Sequence, residues 1–182
     1  TSRLKSHILE ITGKRIWAEK TPTNIYLIGR FLKVFPEAKV IHIVRDPRDV
    51  ILSLMSRGAS ISRGAERWLT AVSAIYKYRN HPNVLEIKYE DLILESEKSL
   101  HRVCSHLNVE FDMDFFATTT YESKNIAKKD GFDTWGSKPG DDFSSKSIGK
   151  FKSSNVDFTD ILAMTLTSEF ASILRVEQFS LS

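Results

Sequence analysis

The stretch Ile41 to Gly58, IHIVRDPRDVILSLMSRG, constrains this chain more than any other. Lys39 to Val44 is short, β-branched and apolar at most positions, the pattern of a parallel strand buried on both faces. Arg45 ends that strand, Asp46 is an N-cap candidate and Pro47 suits the first helical position, so a helix starts with no loop between. Ser53 lies four residues before Arg57, which puts both side chains on one helix face, and Arg45 stands near the positive end of that helix. Two guanidinium groups and a hydroxyl can thus converge on a phosphate, for which arginine is suited by its permanently charged, planar fork of donors. The residues alone leave a second interpretation open. In it Arg48 and Asp49 form surface pairs, Arg57 is a solvated helix-end charge and Ser53 only packs, since helix N-termini bind anions only in some proteins.

Strands and helices alternate along the rest of the chain. Leu4, Ile8, Leu9 and Ile11 recur at helical spacing, Gly13 stops them, and Arg15 to Glu19 reads as a short strand. A helix from Thr23 carries Ile25, Tyr26, Leu27, Ile28, Phe31, Leu32 and Phe35 and ends before Pro36. Another covers Arg63 to Tyr78, with Trp68, Leu69, Val72, Ile75 and Tyr76 as its buried stripe. Asn83 to Tyr89 is a strand, and Asp91 to Leu107 a helix for which Asp91 is the expected cap. Phe111 to Tyr121 is predicted helical, Glu122 to Ser147 a long polar loop of the kind that serves as a lid, and Asp157 to Val176 a last helix. This order favours parallel strands joined by helical crossovers, although three strands are few for such a sheet.

Composition narrows the class of function. A formal charge of +3, drawn from basic and acidic residues scattered along 182 positions, is too weak and too mixed to indicate a nucleic-acid partner. Cys104 is the single cysteine, so no intrachain disulfide forms and no zinc or redox spacing exists, which fits a reducing, cytoplasmic setting. No apolar run of about 18 residues marks a membrane segment. His7, His42, His81, His101 and His106 lack metal-ligand or triad spacing, and His42 reads as a satisfied core histidine.

Several motifs in fixed order resemble those of the 3′-phosphoadenosine-5′-phosphosulfate (PAPS) dependent sulfotransferases. Arg-Asp-Pro-Arg-Asp followed by Ser53 and Arg57, after Phe35-Pro36-Glu37-Ala38-Lys39 and an apolar strand, resembles the 3′-phosphate-binding motif of that family. Its spacing is closest to protein-tyrosine sulfotransferases. Trp17 to Pro22, WAEKTP, resembles the family's Lys-x-Pro element, which implies that Lys20 contacts the sulfuryl group in flight. Lys88 to Leu92, KYEDL, resembles the element whose tyrosine lies near the adenosine end, here Tyr89. Ser144 to Phe151, SSKSIGKF, is similar to the cofactor-covering loop and implies Ser145, Lys146 and Lys150 as further contacts. Residue chemistry by itself also accommodates Lys20 as an ordinary strand-end lysine, Tyr89 as a packing tyrosine and the serine-rich segment as a plain polar loop.

The resemblance implies an α/β fold with a P-loop-type parallel sheet flanked by helices, within one domain over residues 1 to 182. The family's first strand and Gly-Thr-Thr phosphosulfate loop are expected before Thr1, so the chain reads as the C-terminal two-thirds of a longer domain. The implied activity is sulfuryl transfer from PAPS to an acceptor hydroxyl or amine by in-line displacement without a metal, releasing the nucleotide PAP. No catalytic base is assigned: Pro22 stands where small-molecule enzymes carry a histidine, and Glu19 should point to the opposite strand face from Lys20. The expected partners are the nucleotide cosubstrate and an acceptor. A non-catalytic nucleotide-binding or scaffold module of the same fold is the alternative, whereas a P-loop kinase would need a GxxxxGK[ST] run that this sequence lacks.

Overall fold

The computed structural model describes residues 16–112 and 145–159, together with Glu10 and Gly13. Most of the predicted helices at Leu4 to Ile11 and Phe111 to Tyr121, of the loop from Glu122 and of the helix from Asp157 lies outside the described residues. A 3-10 turn over Pro22–Leu27 leads into α1 (Ile28–Val34), followed by β1 (Val40–Val44), α2 (Pro47–Met55), α3 (Ile61–Tyr76), β2 (Val84–Lys88), α4 (Tyr89–Leu94) and α5 (Ser96–Leu107). Two further 3-10 turns, Ser145–Ser147 and Lys150–Ser153, form a strap late in the chain.

The sheet is parallel, running from Val40 opposite Val84 to Val44 opposite Lys88. Its helix-covered face is apolar: Ile28 and Leu32 of α1 meet Ile75 and Val84, with Val40 and Tyr78 at the margin. Trp68 and Val72 of α3 pack with Val44 and Val50 beside them. A third cluster joins α2 to α3 through Ile51, Ala65 and Phe158, with Phe151 of the strap packed against it. A Cβ on Gly64 would come within 3.2 Å of Ile51 Cγ2, so this glycine sets how closely α2 and α3 approach. Ile51 and Ile75, at 0% and 2% exposure, each stabilise the fold by roughly 1.5–3 kcal/mol through burial.

A polar cluster bridges the two strands within the sheet. His42 Nδ1 lies 3.2 Å from Glu86 Oε2, its register partner, and Arg79 Nε donates to Glu86 Oε1 at 3.1 Å. Burial raises the pKa of Glu86, but the hydrogen bond from His42 and the charge of Arg79 outweigh it, leaving the carboxyl below its ordinary value. His42 is a satisfied strand histidine, as expected.

Four expectations are corrected. Ile16 to Glu19 is irregular rather than a strand, and Ile16 is 69% exposed; strand backbone needs a ladder partner, and among the described residues this segment has none. β1 is not covered on both faces: Ile41 and Ile43 stay exposed among the described residues, while alternate residues face the helices. The helix from Arg63 begins earlier, at Ile61, because Ser60 accepts from the Arg63 N–H and caps it. Asp91 to Leu107 is two helices broken at Glu95, whose φ of −126° and ψ of 50° leave the helical region. Asp91 therefore sits inside the first turn of α4 instead of capping a helix. Among the described residues no helix is long and apolar enough to cross a membrane.

Candidate functional site

The junction of β1 and α2 is built from its own charged residues. The Asp46 carboxylate accepts from the Arg48 N–H at 2.8 Å, capping α2, and from Arg48 Nε and Nη2 at 3.1 and 2.8 Å. The Asp46 N–H donates to Glu90 Oε1 at 3.0 Å, which ties the start of α2 to α4. Arg48 and Asp49 are 7% and 2% exposed, so they are not the surface pair that the sequence alone left open. Asp49 instead accepts two backbone N–H groups of the strap, Gly149 at 2.7 Å and Phe151 at 3.1 Å. The Arg48 guanidinium lies 3.6 Å from the centre of the Phe151 ring.

Arg45 occupies the centre of this arrangement. Its carbonyl accepts from Trp68 Nε1 at 3.0 Å, which anchors the end of β1 to α3. Its Nη2 donates to the Ser147 carbonyl and lies 3.8 Å from Asp49 Oδ2, and its guanidinium stands 4.7 Å from the centre of the Tyr89 ring. The Tyr89 hydroxyl meets Ser147 Oγ at 2.9 Å. Arg45 Nε is buried and finds no hydrogen-bond partner among the described residues, an arrangement that leaves a donor of a permanent cation unsatisfied.

The predicted site residues therefore fall into three groups. Arg45 and Tyr89 are in contact, and the strap that includes Ser145, Lys146 and Lys150 lies against them through Ser147. Ser145, Lys146 and Lys150 are themselves exposed; the strap faces Arg45 and Asp49 with the Ser147 carbonyl and the Gly149 and Phe151 N–H groups. Ser53 and Arg57 form a second pair, Arg57 Nη2 donating to Ser53 Oγ at 2.7 Å and Nε to the Ser53 carbonyl at 3.0 Å. Lys20 is outside both groups: it is exposed and makes no side-chain hydrogen bond or ion pair with described residues, while its neighbour Glu19 accepts from Thr21 Oγ1 at 2.5 Å and Asn24 Nδ2 at 3.1 Å.

Sequence reasoning missed Asp49, Ser147 and Trp68. A signal existed for Asp49, which is four residues after Arg45 and so meets it across one turn. Trp68 was placed in the buried stripe of its helix, but its indole donor had no assigned acceptor. Nothing in the sequence marks the Ser147 carbonyl. No group of three or more His, Cys, Asp or Glu side chains able to hold a metal occurs among the described residues.

A model of the sulfotransferase family matches residues 2–113, a span that includes Lys20, Arg45, Ser53, Arg57 and Tyr89 and stops short of the strap. Two curated proteins, the omega-hydroxy-beta-dihydromenaquinone-9 sulfotransferases Stf3 of Mycobacterium bovis and Mycobacterium tuberculosis, are each 32% identical over 50% of this chain and 28% of their own length. The chain thus spans 28% of the length of these curated relatives. Among solved structures, the sulfotransferase domain from the curacin biosynthetic pathway superposes with a TM-score of 0.53 at 24% identity, covering 61% of this chain and 45% of that one. At that identity the likeness speaks for the fold, an α/β arrangement with a parallel sheet flanked by helices.

Proposed function

The chain belongs to the sulfotransferase family, and from that premise we propose that it serves sulfuryl transfer from PAPS to an acceptor hydroxyl by in-line displacement. The observation that carries the nucleotide half is Arg45. Its Nε is buried without a partner among the described residues, beside the N-terminus of α2, and a phosphate oxygen is the acceptor such a donor and such a helix end favour. The residues therefore fit a 3′-phosphate, held by Arg45, with Ser53 and Arg57 supplying a hydroxyl and a second guanidinium. Tyr89 flanks Arg45 and orients it by cation–π contact. Ser145, Lys146 and Lys150 add donors from the strap.

PAPS supplies an activated sulfuryl group whose departure leaves negative charge on a phosphate oxygen. Lys20 is the cation we assign to that charge, an electrostatic role that typically contributes two to three orders of magnitude in rate, by analogy with oxyanion donors. The reaction we propose uses no metal. A hydroxyl acceptor is favoured over an amine because the relatives named Stf3 carry a hydroxylated compound in their name.

The test is thermal. PAP at a hundred times its Kd stabilises a binding protein by about 2.7 kcal/mol, so it raises the Tm of the intact protein, and Arg45→Ala abolishes the rise. Absence of a shift with the wild type overturns the proposal. A second reading, a nucleotide-binding module without chemistry, is favoured by the exposure of Lys20 and its lack of side-chain partners among the described residues. It shares the PAP-dependent Tm but not transfer of radiolabelled sulfate from PAPS to any acceptor.

A further inference from the structure

The Arg-Asp-Pro-Arg-Asp motif ends in an acid whose charge is of the wrong sign for holding an anion. Asp49 Oδ2 lies 3.8 Å from Arg45 Nη2, and its side chain is 1% exposed. By charge alone it opposes phosphate binding, since a carboxylate this close offsets part of the guanidinium's attraction in a medium that screens poorly. A buried carboxylate is retained at such a place only with firm hydrogen bonds, and both of its oxygens have them. Oδ2 accepts the Gly149 N–H at 2.7 Å and Oδ1 the Phe151 N–H at 3.1 Å, from a segment about 100 positions later in sequence.

The two bonds fix a short piece of chain at both ends of a tight turn. Gly149 has a φ of +70°, a left-handed conformation that suits glycine, and the 3-10 turn from Lys150 starts there. Phe151 is held a second time by Arg48, whose guanidinium covers its ring. Just before Gly149, the Ser147 carbonyl and hydroxyl meet Arg45 and Tyr89. Position of the strap therefore determines where Arg45 points, and Asp49 determines the position of the strap.

We propose that Asp49 is a positioning residue for the nucleotide site, acting through the strap and not by direct repulsion of the phosphate. This rests on the function proposed above. Asp49 has no contact with the nucleotide; it holds Gly149 and Phe151 so that Ser147 presents its carbonyl and hydroxyl to Arg45 and Tyr89, and so that Ser145 and Lys146 stand beside them. Charge-assisted bonds from a carboxylate to backbone N–H groups are about twice as strong as neutral ones, so neutralising the acid loosens the strap.

The two roles predict opposite signs. Asp49→Asn removes a negative charge next to Arg45, so if Asp49 acted by charge, PAP would bind more tightly. If it acts through the strap, PAP binds more weakly, about tenfold or more, and the Gly149 and Phe151 amides exchange hydrogen faster while the amides of Ile51, Ile75 and Ile87 keep their protection. The experiment is calorimetric titration of the intact protein and the variant with PAP, paired with amide exchange without nucleotide. Unchanged or tighter PAP binding by a folded Asp49→Asn overturns the proposal, as does unchanged exchange at the two amides. Should Asp49→Asn fail to fold, Gly149→Ala replaces it: an alanine Cβ meets nothing nearer than 3.8 Å, so the substitution strains only the strap backbone while leaving the carboxylate in place. PAP affinity then falls as well, and unaltered affinity overturns the proposal. Failure of the wild type to bind PAP overturns the functional premise instead, and the exchange data, collected without nucleotide, still report whether Asp49 holds the strap.

Discussion

The α2 junction and the segment from Ile16 to Leu27 both carry motifs that the family resemblance picked out, yet they differ in construction. At the junction, Asp46, Arg48 and Asp49 are buried, and each charge meets its partners within hydrogen-bond or ring-contact distance. In the earlier segment Lys20 is exposed, Tyr26 and Leu27 are each half exposed, and the polar contacts of Glu19 stay within five residues of it. A binding residue held by buried partners is preorganised before any ligand arrives. A cation on an exposed segment must be ordered when the reaction complex forms. The difference assigns stability to one region and, on the function proposed here, chemistry to the other.

That division can be broken most forcefully at Asp46. Asp46→Ala strips a buried arginine of its carboxylate and removes a helix cap, and the expected loss is about 3–5 kcal/mol in chemical denaturation; a loss below about 1 kcal/mol would mean that the junction is not the rigid half. Lys20→Ala should show the complementary pattern. The expected change in stability is within about 0.5 kcal/mol, while kcat for sulfuryl transfer falls by roughly 10²–10³-fold, about 2.7–4 kcal/mol of transition-state stabilisation. An unchanged kcat removes Lys20 from the transfer half. Ile51→Ala, deep between α2 and α3, is expected to cost about 2–5 kcal/mol, measured by urea denaturation; a cost no larger than that of an exposed position would contradict tight packing there.

The smallest expected effect concerns Glu86, away from both regions. Its carboxyl titrates below the ordinary value in the folded protein, so the stability it contributes is fully present above the unfolded pKa and is lost as pH falls through the depressed one. The stability gap between wild type and Glu86→Gln should thus be constant near neutrality and close on acidification below the ordinary carboxylate range. A gap that widens in acid would reverse the assignment of His42 and Arg79 as the groups that hold Glu86 ionised.

Much of the architecture was readable from periodicity. β1, α2 and β2 appear within a residue of where apolar spacing and caps placed them, and α3 two residues earlier, because each satisfies local rules within its own residues. What escaped depended on partners remote in sequence. Arg15 to Glu19 has strand-like composition, but Ile16 to Glu19 lacks a pairing neighbour among the described residues. Glu95 breaks a helix that side-chain pattern would have continued. In the candidate site, Arg45 and Tyr89 were found through their motifs, and they touch. Asp49 has only an open surface-pair interpretation in the sequence because its donors, two backbone N–H groups, carry no side-chain signature and lie far along the chain. Ser145, Lys146 and Lys150 were selected for their side chains, whereas the strap meets Arg45 and Asp49 chiefly with its backbone.

The distance in sequence between Asp49 and Gly149 also fixes an order of events. Closing a loop of about 100 residues costs conformational entropy that local turns do not, and each doubling adds roughly 0.6 kcal/mol. In a chain synthesised from its N-terminus, β1, α2 and α3 are complete long before residue 149 exists, so the sheet and its helices can assemble first. The grip on Arg45 is then finished last, by a latch that a nascent chain does not yet possess.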